Sequence, residues 1–146
     1  MSENHTHRLT TDDLVAIPED GNWYELIDGQ IVRSEHPLLS HQRILDNLIY
    51  RFGVVPKNER NCSFWSNVGV IFDRHNSVIP DFVFVRKDRK AEIASGEYIT
   101  GTPDLIVEIL SLGTENIERD RILKLQAYES FGLPEYWIVD PFNRLV

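Results

Sequence analysis

Two stretches of this chain read as buried β-strands, and each is interrupted by a single carboxylate. Val78-Ile79-Pro80-Asp81-Phe82-Val83-Phe84-Val85 carries Asp81, and Leu105-Ile106-Val107-Glu108-Ile109-Leu110 carries Glu108. An isolated carboxylate in apolar surroundings costs several kcal/mol unless a cation, a proton or a set of hydrogen bonds compensates it. Two of them on neighbouring strands double that problem, and one bound divalent metal ion solves it. Adjacent strands lie ~4.8 Å apart, so two carboxylates on one face can share a cation. The pattern is a metal-site signal.

The rest of the chain supplies an ordinary scaffold for such a site. Its 146 residues suit one domain, read as residues 10–146 behind a disordered tail at 1–9. Hydrophobic content of 42% and charged content of 26% belong to a folded globular chain. No apolar run approaches the ~18 residues of a membrane span, and the polar N-terminus does not read as a signal peptide. With Cys62 as the only cysteine there is neither an internal disulfide nor a thiolate cluster, so a reduced, cytoplasmic setting is the expectation.

The net charge of −8 argues at first against a nucleic-acid partner, because phosphate binding runs on Lys and Arg. The charge is unevenly placed, however. Residues 1–50 hold nine acids against three bases, a net of −6, which leaves −2 for residues 51–146. Arg86, Lys87, Arg89 and Lys90 follow the first acidic run, and Arg119, Arg121 and Lys124 follow the second. Each group reads either as a phosphate-facing patch or as a solvated charge cluster.

Patterning along the chain predicts a mixed α/β fold, a mixed sheet flanked by helices. Thr10 or Thr11 caps a short helix ended by Pro18. Tyr24-Glu25-Leu26-Ile27 and Gln30-Ile31-Val32-Arg33 flank Asp28-Gly29, which suits a type I′ hairpin turn. A second helix runs from an N-cap near Ser40 to Gly53, with Ile44, Leu45, Leu48, Ile49 and Phe52 on one stripe and His41 at its centre. Strands are expected at Asn61–Asp73, Val78–Arg86 and Pro103–Ser111, then a helix over Thr114–Phe131 and a strand at Glu135–Val139. In the last helix Ile117, Leu125, Ala127, Tyr128 and Phe131 fall on an apolar face, and Asp120 and Lys124 point from that same face. A lysine so placed needs an anionic partner.

Asp81, Glu108 and Lys124 together suit phosphodiester hydrolysis. Mg²⁺ commonly takes one or two carboxylates and keeps several waters. It can generate a nucleophilic water and stabilise phosphoryl charge, and an ammonium beside it can position that water. Blander readings stand next to this one. Asp81 follows Pro80 and could mark a strand turning outward, and Glu108 could be half of a buried Glu–Lys pair. Glu25 reads equally as an exposed strand carboxylate. His41 reads as a core histidine with one partner or as a catalytic base. Tyr128 reads as packing, and Asp120 as a salt-bridge partner that orients Lys124.

Pro80-Asp81 together with Glu108-Ile109-Leu110 resembles the PD-(D/E)XK nuclease signature, and the chain is similar to the Uma-two family of restriction-endonuclease-like proteins. The matching stretches are Tyr24 through Val32, His41, Val78 through Asp81, Pro103 through Ser111, Lys124 through Tyr128, and Gly132 through Pro141. The resemblance implies a restriction endonuclease-like core in which Asp81, Glu108 and the main-chain carbonyl of Ile109 bind Mg²⁺, with Mn²⁺ as substitute. It makes Glu25 the acidic residue contributed by the hairpin. The general signature places a lysine where this chain has Leu110, and the family supplies it from the following helix, as Lys124. The activity implied is that of a metal-dependent endonuclease that hydrolyses DNA by attack of metal-activated water and acts as a homodimer. The alternative is a catalytically inactive nuclease-fold module that binds DNA or a partner protein, consistent with Leu110 and with the acidic N-terminal third. The family continues with further strands beyond Arg144-Leu145-Val146, so the chain reads as either a shortened version or a truncated one, with an edge open to pairing.

Overall fold

The computed structural model describes residues 7–34, 36–111 and 116–146, with the side chains of 116–120 set aside. Its helices are α1 (Thr11–Val15), α2 (Leu39–Gly53), α3 (Lys90–Ile93) and α4 (Asn116–Ser130). Its strands are β1 (Trp23–Ile27), β2 (Gln30–Ser34), β3 (Cys62–Ser66), β4 (Val70–Asp73), β5 (Asn76–Val78), β6 (Phe82–Arg86), β7 (Ile99–Thr100), β8 (Leu105–Ile109) and β9 (Glu135–Val139). They divide between a five-stranded sheet of order β2-β1-β5-β4-β7 and a four-stranded sheet of order β3-β6-β8-β9. Both sheets are mixed, since β4 pairs with β7 and β8 with β9 in parallel while the other pairings are antiparallel.

Two expected strands are each broken in two, and the halves lie in different sheets. The run over 61–73 divides at Asn67, whose φ of 51° takes the chain out of extended geometry, and β3 and β4 part company there. The run over 78–86 divides at Ile79-Pro80-Asp81. Pro80 has no N–H to give a ladder, so pairing stops and the chain passes from β5 to β6. Asp81 therefore sits at a crossover between sheets, just ahead of β6.

The four-stranded sheet is covered on both faces, which is why β6 and β8 read as nearly unbroken apolar runs. On one face Phe82, Leu105, Val107 and Ile109 meet Leu45 of α2, with Ile44, Leu48, Ile49 and Phe52 packed around them. Phe52 and Phe82 rings lie 4.9 Å apart, and Phe64 and Phe82 rings 5.4 Å apart. Burying each such ring contributes about 1.5–3 kcal/mol. On the other face Val83, Val85 and Ile106 join Ile27, Val70 and Val78 of the five-stranded sheet and Tyr128 of α4. Asp81 and Glu108 share the parity of Val83 and Ile106, so alternation assigns them to this second face.

Local chemistry explains the ends of the elements. Asp28 and Gly29 take φ of 49° and 72°, the two positive values that a type I′ turn requires. A Cβ on Gly29 would come within 2.7 Å of the Arg8 Cβ, so the turn also needs glycine for the close approach of the N-terminal segment. Arg8 and Leu9, read from sequence as tail, dock there through the Arg8–Asp28 ion pair and a Leu9 N–H donated to the Gly29 carbonyl. Residues 1–6 of the tail assigned to 1–9, and the helix start assigned to Thr114, lie outside the described residues. α2 begins at Leu39 after Leu38, so Ser40 falls inside the helix rather than capping it. On α4 the buried side is made by Leu123, Lys124, Ala127 and Tyr128, whereas Leu125, expected there, is 48% exposed.

Candidate active site

The pairing of β6 with β8 brings the two carboxylates together. Phe82 stands opposite Val107, and the antiparallel register continued by one residue sets Asp81 opposite Glu108. Directly opposed side chains lie on one face, with Cβ atoms about 4.5–5.5 Å apart.

Two groups meet Asp81 on a single oxygen. At the end of β8 the Ile109 N–H reaches the Asp81 Oδ2 at 2.7 Å, a side chain serving where the ladder has ended. His41 Nε2 lies 3.1 Å from that same oxygen, and its side chain is 6% exposed. Asp81 thus serves as a hydrogen-bond anchor at the crossover, and the reading of an outward-turned edge residue does not hold.

Glu108 is held in the same manner. Its Oε1 accepts a hydrogen bond from Lys124 Nζ at 3.0 Å and another from the Tyr128 hydroxyl at 3.0 Å. Burial, reinforced by the charges of Glu25 and Asp81, raises its pKa from 4.5 to about 7 against the opposing pull of Lys124. Among the described residues, no hydrogen bond reaches Asp81 Oδ1 or Glu108 Oε2. Among the described residues, each carboxylate thus has one oxygen held and one without a hydrogen bond.

Glu25 is buried, not exposed, and takes a different part. Its Oε1 accepts from the Ile79 N–H at 2.7 Å and from Lys124 Nζ at 3.1 Å. Its Oε2 lies 2.9 Å from the same ammonium and 3.4 Å from the Ser34 hydroxyl. It thereby ties the five-stranded sheet to the crossover that carries Asp81. The Lys124 ammonium lies between Glu25 and Glu108, only 14% exposed. Burial works against its charge, but the two carboxylates outweigh that and hold its pKa above the ordinary lysine value.

Sequence reasoning undervalued two groups. Tyr128 is not only packing: it is buried, and its hydroxyl lies one helical turn past Lys124 on the same face, within reach of Glu108. Burial first, then the charges of Glu108 and Glu25, keep that phenol protonated well beyond its usual range. His41 pairs with a site carboxylate, and an apolar-face histidine opening a helix was the available signal. The Asp120 side chain lies outside the described residues. The basic cluster after β6 is largely engaged elsewhere, with Arg86 on Asp88 at 2.6 Å, Arg89 on Asp104 at 2.9 Å, and Lys90 over the Trp65 ring.

Asp81 and Glu108 from the small sheet, Glu25 from the large one, and Lys124 from the helix after β8 thus converge. The profile of the Uma2 family, described as "Putative restriction endonuclease", matches residues 11–146. The chain belongs to the Uma2 family. A crystal structure from Anabaena variabilis ATCC 29413, described as "a putative nuclease belonging to DUF820", is similar over 91% of this chain and 74% of that one. The TM-score is 0.71 at 24% identity, a likeness that establishes a restriction endonuclease-like fold. No curated protein matches the chain. Among the described residues no helix is long and apolar enough to cross a membrane.

The donor set suits a hard divalent cation that brings most of its own ligands as water. Among the described residues no three His, Cys, Asp or Glu side chains stand close enough to cage a metal. Two free carboxylate oxygens, with the Ile109 carbonyl at the end of β8, suit an ion that keeps most of its waters, as Mg²⁺ does. Three carboxylates stand against one ammonium here, and burial first, with the charges of Glu25 and Asp81 added to it, raises the Glu108 pKa.

Proposed function

We propose that this Uma2-family chain is a divalent-metal-dependent endonuclease that hydrolyses DNA phosphodiester bonds. The observation that carries it is the division of labour at Asp81 and Glu108: protein donors fix one oxygen of each and leave the other free, beside a lysine ammonium. Asp81, Glu108 and the Ile109 carbonyl would hold Mg²⁺, or Mn²⁺ in its place. Such an ion supplies activation of water and stabilisation of phosphoryl charge. The chain's own groups do the rest. Ile109 N–H fixes Asp81, Lys124 and Tyr128 fix Glu108, and Glu25 fixes Lys124. The Lys124 ammonium, its charge secured by two carboxylates, would stand beside an ion held by Glu108 and help to neutralise the phosphate there.

The test is nicking of supercoiled plasmid with Mg²⁺ or Mn²⁺ by the parent, Glu108→Gln and Lys124→Ala. Both variants lose activity while remaining folded, and parental nicking by either defeats the mechanism. A homodimer, able to cut both strands, is part of the same reading, and sedimentation velocity checks it. The pairing of Arg86 and Arg89 with their own carboxylates favours a second reading, a silent module that binds a partner protein. Titration with Mn²⁺ separates the two: the enzyme shows one site that Asp81→Ala abolishes, and the module shows none.

A further inference from the structure

We infer that His41 is a positioning residue for Asp81, its Nε2 set from α2 against one oxygen of that carboxylate; this rests on Asp81 being a metal ligand. The residue opens the buried face of α2, one turn before Leu45, so packing sets its place on the helix. Its Nε2 lies 3.1 Å from Asp81 Oδ2. A carboxylate oxygen can only accept, so Nε2 carries the hydrogen. Nδ1 is buried, and among the described residues it has no partner. With no acceptor there, Nδ1 is the nitrogen that can forgo its hydrogen at least cost. The ring therefore keeps the Nε2–H tautomer, with the Nδ1 lone pair facing the interior. Neither nitrogen is then available to take a proton from water, which removes His41 as a general base.

What remains is orientation. With only the Ile109 N–H on Oδ2, the Asp81 carboxylate could swing about that one contact. A second contact from α2, on the opposite side of the sheet from α4, turns one contact into a clamp on Oδ2. Partners of this kind, which orient a ligating carboxylate without touching the ion, typically hold ~10- to 100-fold in metal affinity.

The experiment is calorimetric titration of the full chain with Mn²⁺, comparing the parent with His41→Leu, His41→Gln and Asp81→Ala. Glutamine can bring an amide N–H close to the position of Nε2, whereas leucine keeps the bulk and offers no donor. Expected is a ~10- to 100-fold weaker Kd for leucine, with glutamine restoring most of the parental affinity. Parental affinity in the leucine variant overturns the inference, as does a folded glutamine variant no better than leucine. If Asp81→Ala also binds as the parent does, the metal reading itself falls; if only that variant loses binding, His41 alone is wrong. Should the leucine variant fail to fold, ¹⁵N spectra of the parent's His41 ring decide: a hydrogen on Nε2 supports the clamp, and a bare Nε2 overturns it.

Discussion

Replacing Glu108 by Gln should make the metal-free protein more stable at pH 8, although it removes a group central to the site. The folded state raises the Glu108 pKa from 4.5 to about 7, a value already net of the attraction to Lys124. Each unit is worth about 1.4 kcal/mol, so at pH 8 the fold carries a penalty of about 3 kcal/mol for keeping this carboxylate ionised. Glutamine keeps an acceptor oxygen for Lys124 and Tyr128 and carries no charge. Lys124 retains Glu25, whose two oxygens lie 3.1 and 2.9 Å from it.

The pH dependence comes from the direction of the shift. Below pH 4.5 both folded and unfolded chains bind the proton, so the native-state preference for neutral Glu108 is fully present. Between 4.5 and about 7 the unfolded chain has lost the proton and the folded chain retains it, so stability falls as pH rises. Above 7 the penalty is constant. Subtracting the stability of wild type from that of the Glu108→Gln variant cancels the other titrating groups and leaves this one: under about 1 kcal/mol at pH 5 and about 3 at pH 8, favouring glutamine. Urea denaturation in EDTA at several pH values measures it. A difference that stays flat over this range, or favours glutamate at pH 8, refutes the reasoning. Added Mn²⁺ should stabilise wild type at pH 8 and leave Glu108→Gln unchanged.

Lys124→Met leaves Glu25 and Glu108 facing each other without their cation. Breaking a buried pair from one side costs about 3–5 kcal/mol, and the loss should shrink below pH 6 as Glu108 takes up a proton, again read by urea denaturation. Tyr128→Phe keeps the ring against Phe72 and Tyr136 and removes only the hydroxyl donated to Glu108. It should cost about 1.5–3 kcal/mol at pH 8, where Glu108 is ionised, and visibly less at pH 5.

The hairpin and the final strand are legible in sequence, whereas the breaks between sheets are not. Asp-Gly between alternating runs announces a type I′ turn because few residues accept two positive φ values, and β1, β2 and β9 emerge close to where patterning puts them. Lys124 is legible because 100° per residue places it among buried neighbours. The breaks at Asn67 and Pro80 stay hidden, because an apolar run reads the same whether its halves share a sheet or part. Only tertiary pairing decides that. Tyr128 escapes for a related reason, since a tyrosine on a buried face looks like packing until the carboxylate above its hydroxyl is known. Leu125 is misplaced because a helix carrying both apolar and charged residues around its circumference leaves the buried arc poorly defined.

The crossover at Pro80 is what turns an awkward carboxylate into a usable one. Had the chain continued as a regular strand, the Ile109 N–H would have met a main-chain carbonyl, leaving Asp81 without that donor. Because pairing stops, the donor goes to the carboxylate, and Glu25 takes the Ile79 N–H two residues earlier. The same proline thus frees backbone donors and brings an anion to them. Glu108 has no such break in its strand and relies instead on side chains one turn apart on α4. The two carboxylates are therefore supported by different elements, backbone and α2 for one, α4 and β1 for the other. A substitution on α4 should disturb Glu108 while leaving the Asp81 contacts intact, so the two halves of the site can be dissected separately.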